Sequence, residues 1–341
     1  MAQPGTPSPS LTNAREAMHF NFPREWAALL GLVLVDALWL SGSWLILPSP
    51  WASLTFLLLL INAKLLYYGL LEADFDTIRP YFLRFKKHWA CPFFMGAEFI
   101  ALSFGAVRAF VILSYLACTL SYPLIDQSLN HLDQLLGFDW QHWFKWSLQR
   151  PVYIPLFIAY GSLSLQYVGL AVGFACFLRK NRIQELFWAM AMGLLLTIIV
   201  SAFLPALGPA SLIHWSPADL PIIQAHFGKS MADVTTIQSH KNLDIIFHKT
   251  TGIITFPSFH TVCAIVFMVA FRRTGLLGYC MFFFNIAMLV AIPVLGNHYL
   301  ADMAAGIIIA LISLALAQFC LSRTGEGEKV RRSRQPRRSR S

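Results

Sequence analysis

Apolar residues in this chain neither alternate nor recur on one helical face; they run in blocks. Eight blocks, at about 26–47, 53–72, 97–122, 151–178, 185–207, 259–271, 275–293 and 299–320, are separated by more polar connections. A helix that crosses a bilayer needs roughly 20 apolar residues, with a range near 17–25. Most blocks meet that length. The block at 259–271 is short, and reaches a spanning length by taking in residues from Ile253 onward while Arg272 and Arg273 extend to the interface. The blocks predict an all-α, polytopic membrane helix bundle of about eight transmembrane helices. Residues 1–24, rich in Pro and Ser, and the basic stretch 321–341 flank a membrane domain over 25–320 and are predicted to be disordered. No cleavable signal peptide is expected, because no basic start leads directly into a short apolar core.

Composition agrees with the blocks. Of 341 residues, 57% are hydrophobic and 13% charged, against about 45–50% and about 25% in soluble domains. The six cysteines are scattered in or beside apolar runs without CxxC spacing, which makes them packing residues. The net charge of +9 resembles a nucleic-acid signal, but eight basic residues sit in the tail from Arg323 to Arg340. Beside a membrane helix, attraction to anionic headgroups, about 1 kcal/mol per basic residue, accounts for them. No nucleic-acid partner is expected.

The remaining charge follows topology. With eight spans, Lys and Arg divide 19 to 5 between the two sets of connections, and 11 to 5 without the tail, while Lys64 and Arg108 fall inside spans. Basic residues stay cytoplasmic. The poorer side, carrying Lys145, Arg150, Lys229, Lys241 and Lys249, is therefore predicted to be non-cytoplasmic. It holds two long connections. In 123–150, Leu129, Leu132, Leu135, Leu136, Phe138, Trp140, Trp143 and Phe144 predict one or two amphipathic helices in the interface, either a cap over the bundle or a platform that admits a lipid tail. The connection 208–257 is long enough to be functional or disordered. Its His214, His226, His240 and His248 lack HxxxH or HExxH spacing, so neither a metal nor a cofactor is expected.

Two stretches on this side carry chemistry: Phe256-Pro257-Ser258-Phe259-His260-Thr261 and Gly296-Asn297-His298-Tyr299-Leu300-Ala301-Asp302. Each opens a predicted helix, and one crossing and return lies between them. His298 and Asp302 are four apart and share a helical face. A carboxylate there accepts a proton from one imidazole nitrogen and leaves the other as a nucleophile. His260 suits a second role as acid and then base, since histidine titrates near about 6.5. Ser258 and the first N–H groups after it, at a helix start preceded by Pro257, suit an anion. The pattern predicts phosphoryl transfer on a lipid.

Pro257-Ser258-Phe259-His260 followed by His298-Tyr299-Leu300-Ala301-Asp302 resembles the second and third signature motifs of the type 2 phosphatidic acid phosphatase superfamily. The form Phe-Pro-Ser-x-His, with His-Tyr-x-x-Asp-x-x-x-Gly ending at Gly306, is most similar to the inositol phosphorylceramide synthase branch. The resemblance covers roughly residues 185–320. It implies a core of about six helices, with His298 as nucleophile, Asp302 as its partner and His260 as the second-motif histidine. Two features of the phosphatase form are missing. No Lys-x6-Arg-Pro precedes the second motif: Arg79-Pro80 has Glu72 in place of the lysine. Ile292 stands where an arginine precedes the third-motif histidine. Lys249, Lys241 and His248 remain as phosphate-binding candidates.

Asp36, Lys64 and Arg108 fall near the middle of the first three spans, where charge costs about 2.5–3.5 kcal/mol and marks pairing or function. They suit a structural ion cluster, or a headgroup or proton site. The stretch Leu204 to Ala210 suits a helix stop or a wall of the site. The expectation is an integral, multi-pass membrane enzyme, in a bacterial inner membrane rather than a eukaryotic Golgi, with a phospholipid or sphingolipid substrate. It moves a phosphate or phospho-headgroup through a phosphohistidine to an alcohol. Release of inorganic phosphate is the alternative within enzymes, and a transporter using the mid-membrane charges is the alternative outside them.

Overall fold

The computed structural model describes residues 22–47, 91–246 and 250–322. The predicted block at 53–72, Lys64, Arg79, His248 and Lys249 lie outside the described residues. In chain order, the elements are α1 (Pro23–Leu40), β1 (Leu45–Ile46), α2 (Cys91–Cys118), α3 (Asp126–Leu135) and α4 (Trp140–Ser147). Then come α5 (Arg150–Gly161), α6 (Leu163–Cys176), α7 (Lys180–Phe203), α8 (Leu220–Ile223) and α9 (Lys229–Gln238). The chain closes with β2 (Leu243–Asp244), α10 (Phe259–Phe271), α11 (Leu276–Leu295) and α12 (Leu300–Ser322).

Helices α2, α7, α11 and α12 are each long and apolar enough to cross a bilayer, and α5 with α6 makes a fifth span if counted as one. Among the described residues this makes four or five spans; of the eight expected over the whole chain, the one at 53–72 lies outside them, and the other differences are local. α10 has 13 residues. α1 carries Arg24, Glu25 and Asp36 within 18 residues. The block at 151–178 is not one rod, since α5 and α6 meet at a 45° bend. At that bend Ser162 donates its hydroxyl to the Ala159 carbonyl at 2.7 Å and accepts from Gln166 Nε2 at 3.0 Å. Asn285 of α11 donates to Gln166 Oε1 at 2.9 Å. A chain of side-chain bonds thus ties the break to α11 within the apolar interior, where each polar group needs a partner.

α7 and α12 form the centre of the bundle, α10 packs against both, and α11 packs against α10 and α5. Gly193 allows the close crossing: a Cβ there would lie 2.7 Å from Val262 Cγ1 of α10 and 3.5 Å from Ser313 Oγ of α12. α1 lies along α2, with Leu29 against Gly105, and is joined to α7 where Glu25 accepts from Gln184 Nε2 and Trp188 Nε1 at 3.1 and 2.9 Å. Asp36 is buried and, among the described residues, neither carboxylate oxygen has a hydrogen-bond partner, while Arg108 lies over the Phe104 ring at 4.5 Å. Outward-facing Leu276, Phe283, Ile308 and Leu311 remain exposed, as a lipid-facing surface requires.

The connection 208–257 is folded over much of its length. It contains α8, a π turn at Gln224–Gly228, α9 and β2. β2 pairs in parallel with β1, Leu45 opposite Leu243 and Ile46 opposite Asp244. The three described histidines of this connection are accounted for locally or left exposed: His226 Nδ1 is 2.8 Å from the Ile222 carbonyl, and His240 rests on Trp44 with centroids 4.5 Å apart.

Candidate active site

The Phe-Pro-Ser stretch ends in a helix cap. Ser258 has extended backbone and its hydroxyl accepts from the Thr261 N–H at 3.3 Å, which starts α10 and directs His260 into its first turn. The second stretch begins where α11 ends. Pro293 sits in the last turn of α11, and its carbonyl accepts from the His298 N–H at 3.0 Å and from Trp140 Nε1 at 2.7 Å. Asn297 then takes a left-handed backbone, φ 56°. This reverses the chain between α11 and α12 and presents His298 from the turn.

The two stretches meet. The Ser258 N–H donates to the backbone carbonyl of Asp302 at 3.1 Å. His298 Nδ1 is 3.1 Å from Asp302 Oδ2, which also accepts from the Tyr299 N–H at 2.9 Å. Both side chains are buried, His298 4% exposed and Asp302 0%. The Thr255 backbone also approaches the His298 ring. His260 stacks on Tyr160 of α5, with centroids 4.2 Å apart and planes 11° apart. Gly306, one turn past Asp302, lies against α10: a Cβ there would be 2.6 Å from the Ser258 carbonyl oxygen and 2.9 Å from Thr261 Cβ. The glycine is needed for the contact that holds the two stretches together.

Behind the histidines lies a shell of carboxylates that the sequence reading missed. Asp126, at the start of α3, accepts from the Leu207 N–H (3.0 Å), the Gly208 N–H (2.7 Å) and the Tyr299 hydroxyl (3.0 Å). Asp133, at its end, accepts from the Leu300 N–H at 3.0 and 3.1 Å, capping α12 from a distant helix. Burial pushes the Asp133 carboxyl above the usual range, while the N–H groups of Leu300 and Ala301 act in the opposite direction. Asn297 accepts from the Ala210 N–H and donates to the Leu207 carbonyl, both at 2.8 Å. Gly208, φ 97°, passes so close to Asn297 that no Cβ fits. The stretch Leu204 to Ala210 therefore lies against the third motif rather than acting only as a helix stop.

The signal for this shell was present. Asp126 and Asp133 are seven apart with Leu129 between them, a single helical face. The structure buries that face and exposes Leu132 (47%), Leu135 (70%) and Leu136 (70%). α3 is amphipathic as predicted, but its carboxylates point inward and much of its apolar side outward. With α4, whose Trp140 and Phe144 are buried, it caps the bundle.

No described cation joins the site by an ion pair: Lys145 pairs with Asp219, Arg182 with Glu185 and Lys229 with Asp233. Ile292 is fully buried in α11, and Lys241 is exposed. Among the described residues no cluster of three or more His, Cys, Asp or Glu side chains has the makings of a metal site.

A family model described as the PAP2 superfamily matches residues 127–316, more than half of the chain. The chain belongs to the PAP2 superfamily. It is accordingly an integral membrane enzyme of the lipid phosphatase and phosphotransferase type. No curated protein and no solved structure matches it. The superfamily segment starts in α3, well before residue 185 where the motif resemblance began. α3 from Gln127 onward and α4, which carry Asp133 and Trp140, are thus included in the superfamily segment, together with α5 and α6; Asp126 stands one residue before it, and α1 and α2 lie outside it.

Proposed function

We propose that this PAP2-superfamily enzyme is a lipid phosphotransferase in which His298 is the nucleophile, Asp302 orients it, and His260 is the acid and base. The observation that carries the reading is the buried 3.1 Å contact between His298 Nδ1 and Asp302 Oδ2. With Nδ1 engaged, Nε2 keeps its lone pair for phosphorus. Nε2 attacks, the bond from phosphorus to the lipid alcohol breaks, and His260 gives that oxygen a proton. A second alcohol then loses its proton to His260 and attacks the phosphohistidine. The N–P bond breaks, and His298 is restored.

Transfer is favoured over hydrolysis by charge. A phosphate monoester carries nearly two charges at neutral pH, and a phosphodiester one. A site without the Lys-x6-Arg-Pro motif, and with buried Ile292 in the arginine position, is better suited to the diester. Ser258, the N–H groups opening α10, and Lys249 are its proposed phosphate contacts. This agrees with the resemblance to the inositol phosphorylceramide synthase branch and with a sphingolipid or phospholipid substrate. The 19 to 5 division of basic residues, counted over eight spans, supports a site on the non-cytoplasmic face.

The test is product analysis with a headgroup-labelled phosphodiester lipid and a labelled phosphate monoester, each with and without an alcohol acceptor. The expected result is a new labelled phosphodiester, formed with ping-pong kinetics and abolished by His298→Ala. Release of inorganic phosphate from the monoester, with no acceptor dependence and no reaction of the diester, overturns transfer.

A further inference from the structure

We propose that Tyr160 is a positioning residue for His260, holding its imidazole by a face-to-face stack in the orientation that delivers a proton to the leaving oxygen. The inference rests on the acid and base role proposed for His260.

Three observations carry it. The Tyr160 and His260 rings are 4.2 Å apart at centroids and 11° from parallel. The phenol oxygen is 3.5 Å from His260 Nδ1, but in a parallel stack it lies over the imidazole rather than in its plane. A hydrogen bond to a ring nitrogen needs the donor near that plane. The ring face, not the hydroxyl, is therefore the working part. Second, the same phenol reaches the nucleophile's neighbourhood. A Cβ on Gly296 would lie 3.0 Å from Tyr160 Oη and 2.6 Å from His298 Cδ2, so the glycine leaves room for both rings at one point.

Third, Tyr160 stands two residues before Ser162, at the bend between α5 and α6. The chain of bonds through Ala159, Ser162, Gln166 and Asn285 fixes that bend against α11. Asn285 is fully buried and Gln166 nearly so. A polar chain is costly in an apolar interior. Here it holds the backbone next to Tyr160, and with it the plane of the stack. An aromatic face suits a residue that must pass through both charge states, because it accepts a neutral ring by stacking and a cationic one through its π electrons.

The experiment compares two donors bearing the same phospho-headgroup: a lipid phosphodiester, whose alkoxide leaves poorly, and a 4-nitrophenyl phosphodiester, whose phenolate needs no proton. In the full-length enzyme in detergent, Tyr160→Leu is expected to lower the pre-steady-state rate of leaving-group release, which reads the first step alone, by about 10²-fold on the lipid donor with the donor KM changed less than about threefold. On the nitrophenyl donor the loss of that rate is expected to be under about threefold, since the departing phenolate needs no acid and the second step, in which His260 is the base, is not read. Tyr160→Phe keeps the stack and should recover most of the leucine loss. If the leucine variant does not fold, Tyr160→Met is read in its place. Equal losses on both donors, or a phenylalanine variant as poor as the leucine one, overturn the inference. His260→Ala separates this failure from the other. If it too slows both donors equally, the role of His260 falls and the inference with it. If it spares the nitrophenyl donor while Tyr160→Leu does not, only the inference about Tyr160 fails.

Discussion

The backbone N–H of Ser258 donates to the backbone carbonyl of Asp302 at 3.1 Å. The cap of one helix is thereby bonded to the first turn of another, across a sequence separation that includes the whole of α10 and α11. The relative position of His260 and His298 depends on that joint, and Gly306 permits it.

Gly306→Val should therefore damage both stability and activity. Its Cβ alone would meet the Ser258 carbonyl at 2.6 Å and Thr261 at 2.9 Å. Overpacking of this kind costs about 1–3 kcal/mol. The expected outcome is a lower thermal midpoint in detergent and little turnover, with Gly306→Ala intermediate on both measures. A valine variant with normal turnover would show that the joint does not matter.

Asp302→Asn should separate folding from catalysis. Oδ2 holds both His298 Nδ1, at 3.1 Å, and the Tyr299 N–H, at 2.9 Å, so an amide oxygen in its place keeps both contacts. The negative charge is lost, and with it the support for the cation that His298 becomes once it is phosphorylated. Turnover should fall on the order of 10²–10⁴-fold with the protein still inserted and folded. Steady-state kinetics beside a melting curve decides it, and near-normal turnover refutes the dyad.

The carboxylates of α3 should matter through position alone. Asp126→Ala strands the Leu207 and Gly208 N–H groups and the Tyr299 hydroxyl. Buried groups left unpaired cost about 1–3 kcal/mol each. Asp133→Ala strands the Leu300 N–H and removes the carboxylate facing the Ala301 N–H. The loss of thermal midpoint should thus be larger for Asp126→Ala than for Asp133→Ala. Asp133→Asn, which keeps an acceptor and removes a buried charge, should lose least. A reversed order would mean that these bonds do not set the stability of the cap.

Orientation is open to chemical labelling. In a cysteine-free background, a cysteine at exposed position 241 should react with an impermeant thiol reagent added from outside, and one at exposed position 179 should not. The opposite pattern inverts the topology.

The sequence by itself determined the class of protein, because apolar blocks without water-facing stripes have only one solvent. It also singled out the residues proposed to carry the chemistry. His298 and Asp302 are four apart and Ser258 caps the turn that holds His260, so these contacts are local and any helix would make them. It did not determine what surrounds them. Asp126 and Tyr299, or Tyr160 and His260, meet across a hundred residues or more. No period links such pairs, and the inward face of α3 depends on which side another helix occupies. Only the tertiary structure decided that a helix read by its leucines turns its aspartates inward. The buried N–H groups of Leu207, Gly208 and Leu300 had to find acceptors, and α3 is where the fold supplies them.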